Sequence, residues 1–156
     1  MSGHHTRLSC QGEKMNEIVV GVDRSETARR AAEQAAELAS ALDTTLHIVM
    51  CVKPGQGVNL AVGSDQFRTD WVTDSLQFLD EMKRTLPHDK FTRSAVEGDP
   101  AKIMCDEARR LGARIIVVGN RRVQGASRVL GSIAGDVLKH APCDVLIVNT
   151  TGKAAE

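Results

Sequence analysis

Between positions 119 and 132 the chain reads GNRRVQGASRVLGS, with glycines at 119, 125 and 131 and a serine directly before a segment of helical periodicity. Glycine lets backbone amides approach an anion closely, and the first amides of a helix have no intrahelical partner. A glycine-serine pair at a helix start therefore suits phosphate, and Gly131 and Ser132 are the first choice for such contacts. A plainer role is open to the same residues: Ser132 caps its helix and the glycines turn the chain. Spacing alone weighs the two evenly. Arg121, Arg122 and Arg128 either steer phosphates toward this stretch or stand solvated. Far upstream, Asp23 ends the β-branched run Ile18–Val22. Its acceptor-only carboxylate can take an adenine amino group or a ribose hydroxyl. It can equally cap the helix that follows, where Glu26 three residues on completes a capping-box-like pattern.

Other chemistry is missing from the sequence. There is no G-x-x-x-x-G-K-[ST], no G-x-S-x-G and no H-E-x-x-H. His47 falls inside a strand, His88 in a turn and His140 at a helix end, each without a ligand-like neighbour, so structural roles are expected for all three. His140 suits the negative end of its helix when charged. Cys10, Cys51, Cys105 and Cys143 lie far apart with no C-x-x-C pair, which fits neither a zinc site nor a disulfide framework. They read as reduced thiols.

The elements that must position these residues follow from the hydrophobic pattern. Residues 1–14 lack apolar periodicity and read as a disordered extension that contains His4 and His5, with Met15 a candidate start. Ile18–Val22 is a strand, and Ala28, Ala31, Ala32, Ala35, Ala39 and Leu42 then mark one helix face. Leu46–Val52 is a second strand, stopped by Pro54 and a mobile glycine-rich loop through Gly63. A second helix carries Phe67, Trp71, Phe78 and Met82 and ends before Pro87. Phe91–Val96 is a more polar third strand, and Pro100 opens a helix through Leu111. Arg114–Val118 contains IIVV, apolar at consecutive positions as in a strand covered on both faces. Ser132–His140 forms the last helix and Val145–Val148 the last strand. Alternation of strand and helix predicts a five-stranded parallel sheet with helices on both faces. In such a sheet the winding reverses between the first and fourth strands, so the loops after Asp23 and Gly119 should face each other across one crevice.

The chain has 156 residues, enough for one core, and its 20 Lys and Arg balance its 20 Asp and Glu. That balance argues against nucleic acid or anionic membrane as partners. No run nears the roughly 18 apolar residues of a membrane span, and no signal-peptide pattern opens the chain, so a cytoplasmic protein is expected.

Taken in order, IVVGVDRSETARRAAEQAAELA, GDPAKIMCDEARRLGARIIVVGN and GSIAGDVLKHAPCDVLIV resemble the universal stress protein family over residues 15–150, leaving 151–156 as a tail. The resemblance implies strand order 3-2-1-4-5, a homodimer paired along Val145–Val148, and expression under stress or growth arrest. It also implies an adenine nucleotide such as ATP, with magnesium that Asp23 could approach. By position, Asp23 matches the family's nucleotide-contacting aspartate and Cys51 the residue packed on adenine. Val118, Gly119, Asn120 and Arg121 line the ribose and phosphate side, and Ile133 continues the contacts after Ser132. Nucleotide-binding members carry G-x-x-G-x9-G-[ST]. Here Gly119 and Gly131-Ser132 match, but Arg122 replaces the second glycine and the loop is one residue short, with Gly125 as the substitute source of flexibility. No general base or carboxylate cluster accompanies the loop, so ATP hydrolysis is slow at most. The alternative is a protein of the same fold that binds no nucleotide and acts through protein contacts.

Overall fold

A computed structural model describes residues 17–54, 59–62, 65–68, 71–120 and 130–150, with 59–62 and 65–68 in backbone only. Strand β1 (Ile18–Val22) is central. Its Ile18, Val20 and Val22 enter one core and its Val19 the other, as expected of a strand buried on both faces. Helix α1 (Glu26–Ala41) presents buried Ala28, Ala31, Ala32, Ala35, Ala36 and Ala39, side chains small enough for close approach to the sheet. Strand β2 (Leu46–Val52) and the short antiparallel pair β3 (Asn59–Val62) and β4 (Asp65–Arg68) follow. Next come α2 (Trp71–Thr85), β5 (Phe91–Glu97), α3 (Pro100–Leu111), β6 (Ile115–Asn120), α4 (Ser132–His140) and β7 (Asp144–Asn149).

The five-stranded sheet has the order β5-β2-β1-β6-β7, parallel throughout, which is order 3-2-1-4-5 for its own strands. Helices α1 and α2 cover one face, where Leu79, Met82 and Leu86 join the alanines of α1 over Ile18, Ile48 and Val117. The other face is covered by α3 and α4 through Ile103, Met104, Cys105, Ala108, Ala134 and Val137. Each buried Ile, Leu, Val or Met side chain among these contributes about 1.5–3 kcal/mol. Helix α3 has well-made ends: the Asp99 carboxylate accepts the Lys102 amide at 2.9 Å, and Gly112 closes it at φ 59°.

The two sheet edges differ. Strand β5 exposes Thr92, Arg93 and Glu97, and Arg93 makes a bidentate pair with Asp80 of α2 at 2.6 and 2.7 Å. Strand β7 exposes Leu146 at 40% and bears one exposed acidic residue, Asp144, at its start.

One polar side chain is built into the α3 face. His47 on β2 is 2% exposed. Its Nε2 lies 3.0 Å from both Ser94 Oγ and Glu107 Oε2, and its Nδ1 lies 2.7 Å from Thr92 Oγ1. The ionised carboxylate can only accept, so Nε2 carries the proton and Nδ1 accepts from Thr92. Burial lowers the imidazole's pKa, with Arg110 acting the same way, against the Glu107 carboxylate that raises it. Arg110 in turn holds Glu107 below the usual carboxylate range. The expectation of a structural role for His47 fits this arrangement.

Two expectations need correction. Part of the expected glycine-rich loop before Gly63 is strand β3, paired with β4 from Val62–Asp65 to Asn59–Arg68. Phe67 therefore belongs to β4, and the helix begins only at Trp71. The 1–14 extension and the 151–156 tail lie outside the described residues.

Candidate functional site

The carboxyl ends of β1, β2 and β6 open into a crevice of about 390 Å3, within the size range of small-molecule sites. Its walls include Val22, Asp23, Cys51, Lys53, Gly119 and Ile133. Two glycines set its depth. A side chain at Gly21 would place Cβ 2.2 Å from Met104 Sδ, so glycine here leaves the room that the Met104 side chain of α3 takes against β1. At Gly119 a Cβ would meet Thr27 at 3.0 Å from Cγ2 and 3.1 Å from its carbonyl oxygen, which brings the end of β6 against the first turn of α1.

Asp23 is exposed and accepts the Ser25 amide at 2.8 Å. The cap of α1 is Ser25, whose Oγ accepts the Ala28 amide at 3.1 Å. The capping reading of Asp23 is thus overturned, and Glu26 pairs with Arg29 and Arg30 rather than closing a capping box. One oxygen holds the turn and the carboxylate still faces the crevice. Cys51 forms part of the floor. Burial raises its thiol pKa to about 12, helped by the Asp99, Asp23 and Glu107 carboxylates, so it serves as a small apolar surface and not as a nucleophile. Val118 is 3% exposed and completes that floor.

Across the crevice stands α4. Its N-cap is Gly131, with no side-chain capping bond, and Ser132 is exposed as the first helical residue. The capping reading of Ser132 is overturned as well. Ile133, 45% exposed, lines the crevice itself. Asn120 and Gly131, next in the chain to residues of the wall or one removed from them, meet through the Gly131 amide, which donates to Asn120 Oδ1 at 3.3 Å. Among the described site residues, then, Asp23, Cys51, Val118, Gly119 and Ile133 share the crevice, while Asn120, Gly131 and Ser132 flank it. Arg121, Arg122 and Gly125, with Arg128, lie outside the described residues.

The sequence reading missed Lys53, Thr27, Pro100 and Met104, all of which line the crevice. Lys53 follows the carboxyl end of β2 two residues after Cys51, and the period-2 alternation of a strand could have flagged it. Pro100 and Met104 reach the crevice only because α3 crosses β1, a tertiary contact with no local signal. Among the described residues, no three His, Cys, Asp or Glu gather to hold a metal ion.

A family model described as the universal stress protein family matches residues 15–149. A universal stress protein of Mycobacterium tuberculosis is 30% identical over 142 residues, covering 86% of this chain and 96% of its own. The crystal structure of a universal stress protein in complex with cAMP has a TM-score of 0.67 and 25% identity, over 87% of this chain and 98% of that one. The Archaeoglobus fulgidus universal stress protein in complex with dAMP has a TM-score of 0.60 at 23% identity, over 86% of this chain and 98% of that one, and shares the fold.

Proposed function

The chain belongs to the universal stress protein family, and we propose that it is a stress-response regulator that holds an adenine nucleotide, ATP or a smaller relative, in the crevice between β1 and β6. The observation that carries this reading is the crevice itself. It lies where the winding of the sheet reverses, with an open carboxylate on Asp23, an apolar floor at Cys51 and Val118, and the first turn of α4 beside it. The cAMP and dAMP bound by the two related proteins support an adenine nucleotide as the occupant. Adenine packs on Cys51, Asp23 takes the amino group or ribose hydroxyl, and the phosphates meet the amides of Ser132 and Ile133. Magnesium arrives with the phosphates. Two copies pair along β7 through Val145–Val148, which covers an apolar edge. Among the described residues no helix is long and apolar enough to cross a membrane.

The second reading, action through protein contacts with the crevice closed, rests on Arg122 at a glycine position of the family pattern and on the shortened loop. Calorimetric titration of the purified protein with magnesium-ATP, AMP and cAMP separates the two. Micromolar binding that Asp23→Ala weakens supports the nucleotide reading. Absence of heat from folded, nucleotide-free protein would overturn it in favour of the second. Sedimentation of the same sample should show a dimer.

A further inference from the structure

We propose that Asn120 is the positioning residue for the phosphate end of the crevice, acting through Gly131 and not by touching the nucleotide. This rests on the nucleotide reading above.

Asn120 ends β6, and its backbone has little freedom. Gly119 before it packs against Thr27, and the Asn120 carbonyl accepts the hydroxyl of buried Thr150 at 2.7 Å. Thr150 follows β7 and is itself anchored, because its carbonyl accepts Arg30 Nη1 of α1 at 2.8 Å. From this fixed base the Asn120 carboxamide reaches eleven residues along the chain to accept the Gly131 amide at 3.3 Å. Gly131 has no capping side chain of its own. Among the described residues, this bond is the hydrogen bond that joins the end of β6 to the start of α4. Beside the core packing of Ala134 and Val137 it helps to fix where Ser132 and Ile133 sit, and their amides are the donors that the helix leaves free. Asn120 is absent from the crevice wall, whereas Gly119 and Ile133 on either side of the bond belong to it. The bond thus spans two parts of the wall and sets the gap between them.

The consequence is a dependence on ligand charge. Adenosine uses the Asp23 and Cys51 end and is indifferent to the position of α4, whereas AMP and ATP need it. Titrations of adenosine, AMP and ATP into the wild type, Asn120→Ala and Asn120→Asp test this. Without the bond, Asn120→Ala should bind AMP and ATP about tenfold more weakly, while adenosine changes by less than about twofold. Asn120→Asp keeps an acceptor for the Gly131 amide but sets a negative charge near the phosphates. It should bind ATP no better than Asn120→Ala at low salt and overtake it at high salt, where the repulsion is screened.

ATP affinity unchanged in Asn120→Ala overturns the proposal, as does a loss equal for adenosine and ATP, which a general loosening of the fold would give. Asn120→Asp tracking Asn120→Ala at every salt concentration also overturns it, because the shared acceptor would then count for nothing. If Asn120→Ala fails to fold, Asn120→Thr, uncharged and with a hydroxyl too short to take the Gly131 amide, replaces it with the same expected and overturning results. A wild type that binds none of the three ligands overturns the nucleotide reading itself, a result distinct from wild-type binding that is indifferent to position 120.

Discussion

Two polar regions of the molecule are built in opposite ways. Around His47, polar groups answer one another: the ring, Thr92, Ser94, Glu107 and Arg110 form a closed set under α3. At the crevice they are left open, with Asp23 exposed and the first turn of α4 without a side-chain cap. Closed sets stabilise a fold and resist exchange of partners, whereas open sets give up stability for groups that a ligand can complete. The contrast separates a histidine that belongs to the architecture from an aspartate that, under the proposed function, is left for a ligand, although both lie in or just beyond central strands.

Substitutions should divide along the same line. The largest loss of stability is expected from His47→Leu, about 2–3 kcal/mol, because the partly buried Glu107 carboxylate loses one of its donors and the Thr92 hydroxyl loses its acceptor. Chemical denaturation measures it, and nucleotide affinity should not move. Gly21→Ala comes next, at about 2 kcal/mol, since its new Cβ falls 2.2 Å from Met104 Sδ. This change blurs the division, because it should also narrow the crevice and weaken binding; a thermal melt with and without AMP reads both effects. Asp23→Ala should do the reverse of His47→Leu, with about tenfold weaker nucleotide binding and a loss of under about 1 kcal/mol from the Ser25 amide bond. Smallest is Ser132→Ala, within about 0.5 kcal/mol of wild type in stability, since Ser132 does not cap its helix.

Acid sharpens the same contrast. The folded-state pKa of His47 lies below its ordinary value of 6.5 because burial disfavours the charged ring. Above 6.5 neither the folded nor the unfolded chain is charged at this position, and the cluster contributes in full. As pH falls through that range the unfolded chain takes up a proton that the folded one refuses, so stability drops until the folded ring is protonated too. Denaturation from pH 7.5 to about 5 should show this slope in wild type and a flatter one in His47→Leu. A steeper slope in the variant would mean that His47 gains its proton on folding.

Most of the architecture was legible because parallel strands announce themselves. IVVGV and IIVV are apolar on consecutive positions only where both faces are covered, and the alanine stripe of α1 could serve no purpose but close packing. The β3–β4 pair was hidden for the opposite reason. Its strands are only four residues each, too short for a period to emerge, and the spacing of Phe67 to Trp71 imitates a helical turn. At the site, Asp23 and Gly119 could be placed from topology alone. Which oxygen capped which helix could not, because Asp23 and Ser25 compete for the same turn and differ only in geometry. The bond from Asn120 to Gly131 joins residues eleven apart in the chain, and no local pattern encodes it.

The unequal edges of the sheet have a bearing on assembly size. An edge strand can template another, and a molecule with two usable edges can add copies without end. Here Arg93, held by Asp80, and Glu97 present charge along β5, while β7 offers Leu146 and neighbours that favour cover. Under the proposed pairing along β7, each copy spends its one receptive edge on the other, and growth terminates at two. The charged outer strand would then act as a chain terminator, keeping the protein out of filaments.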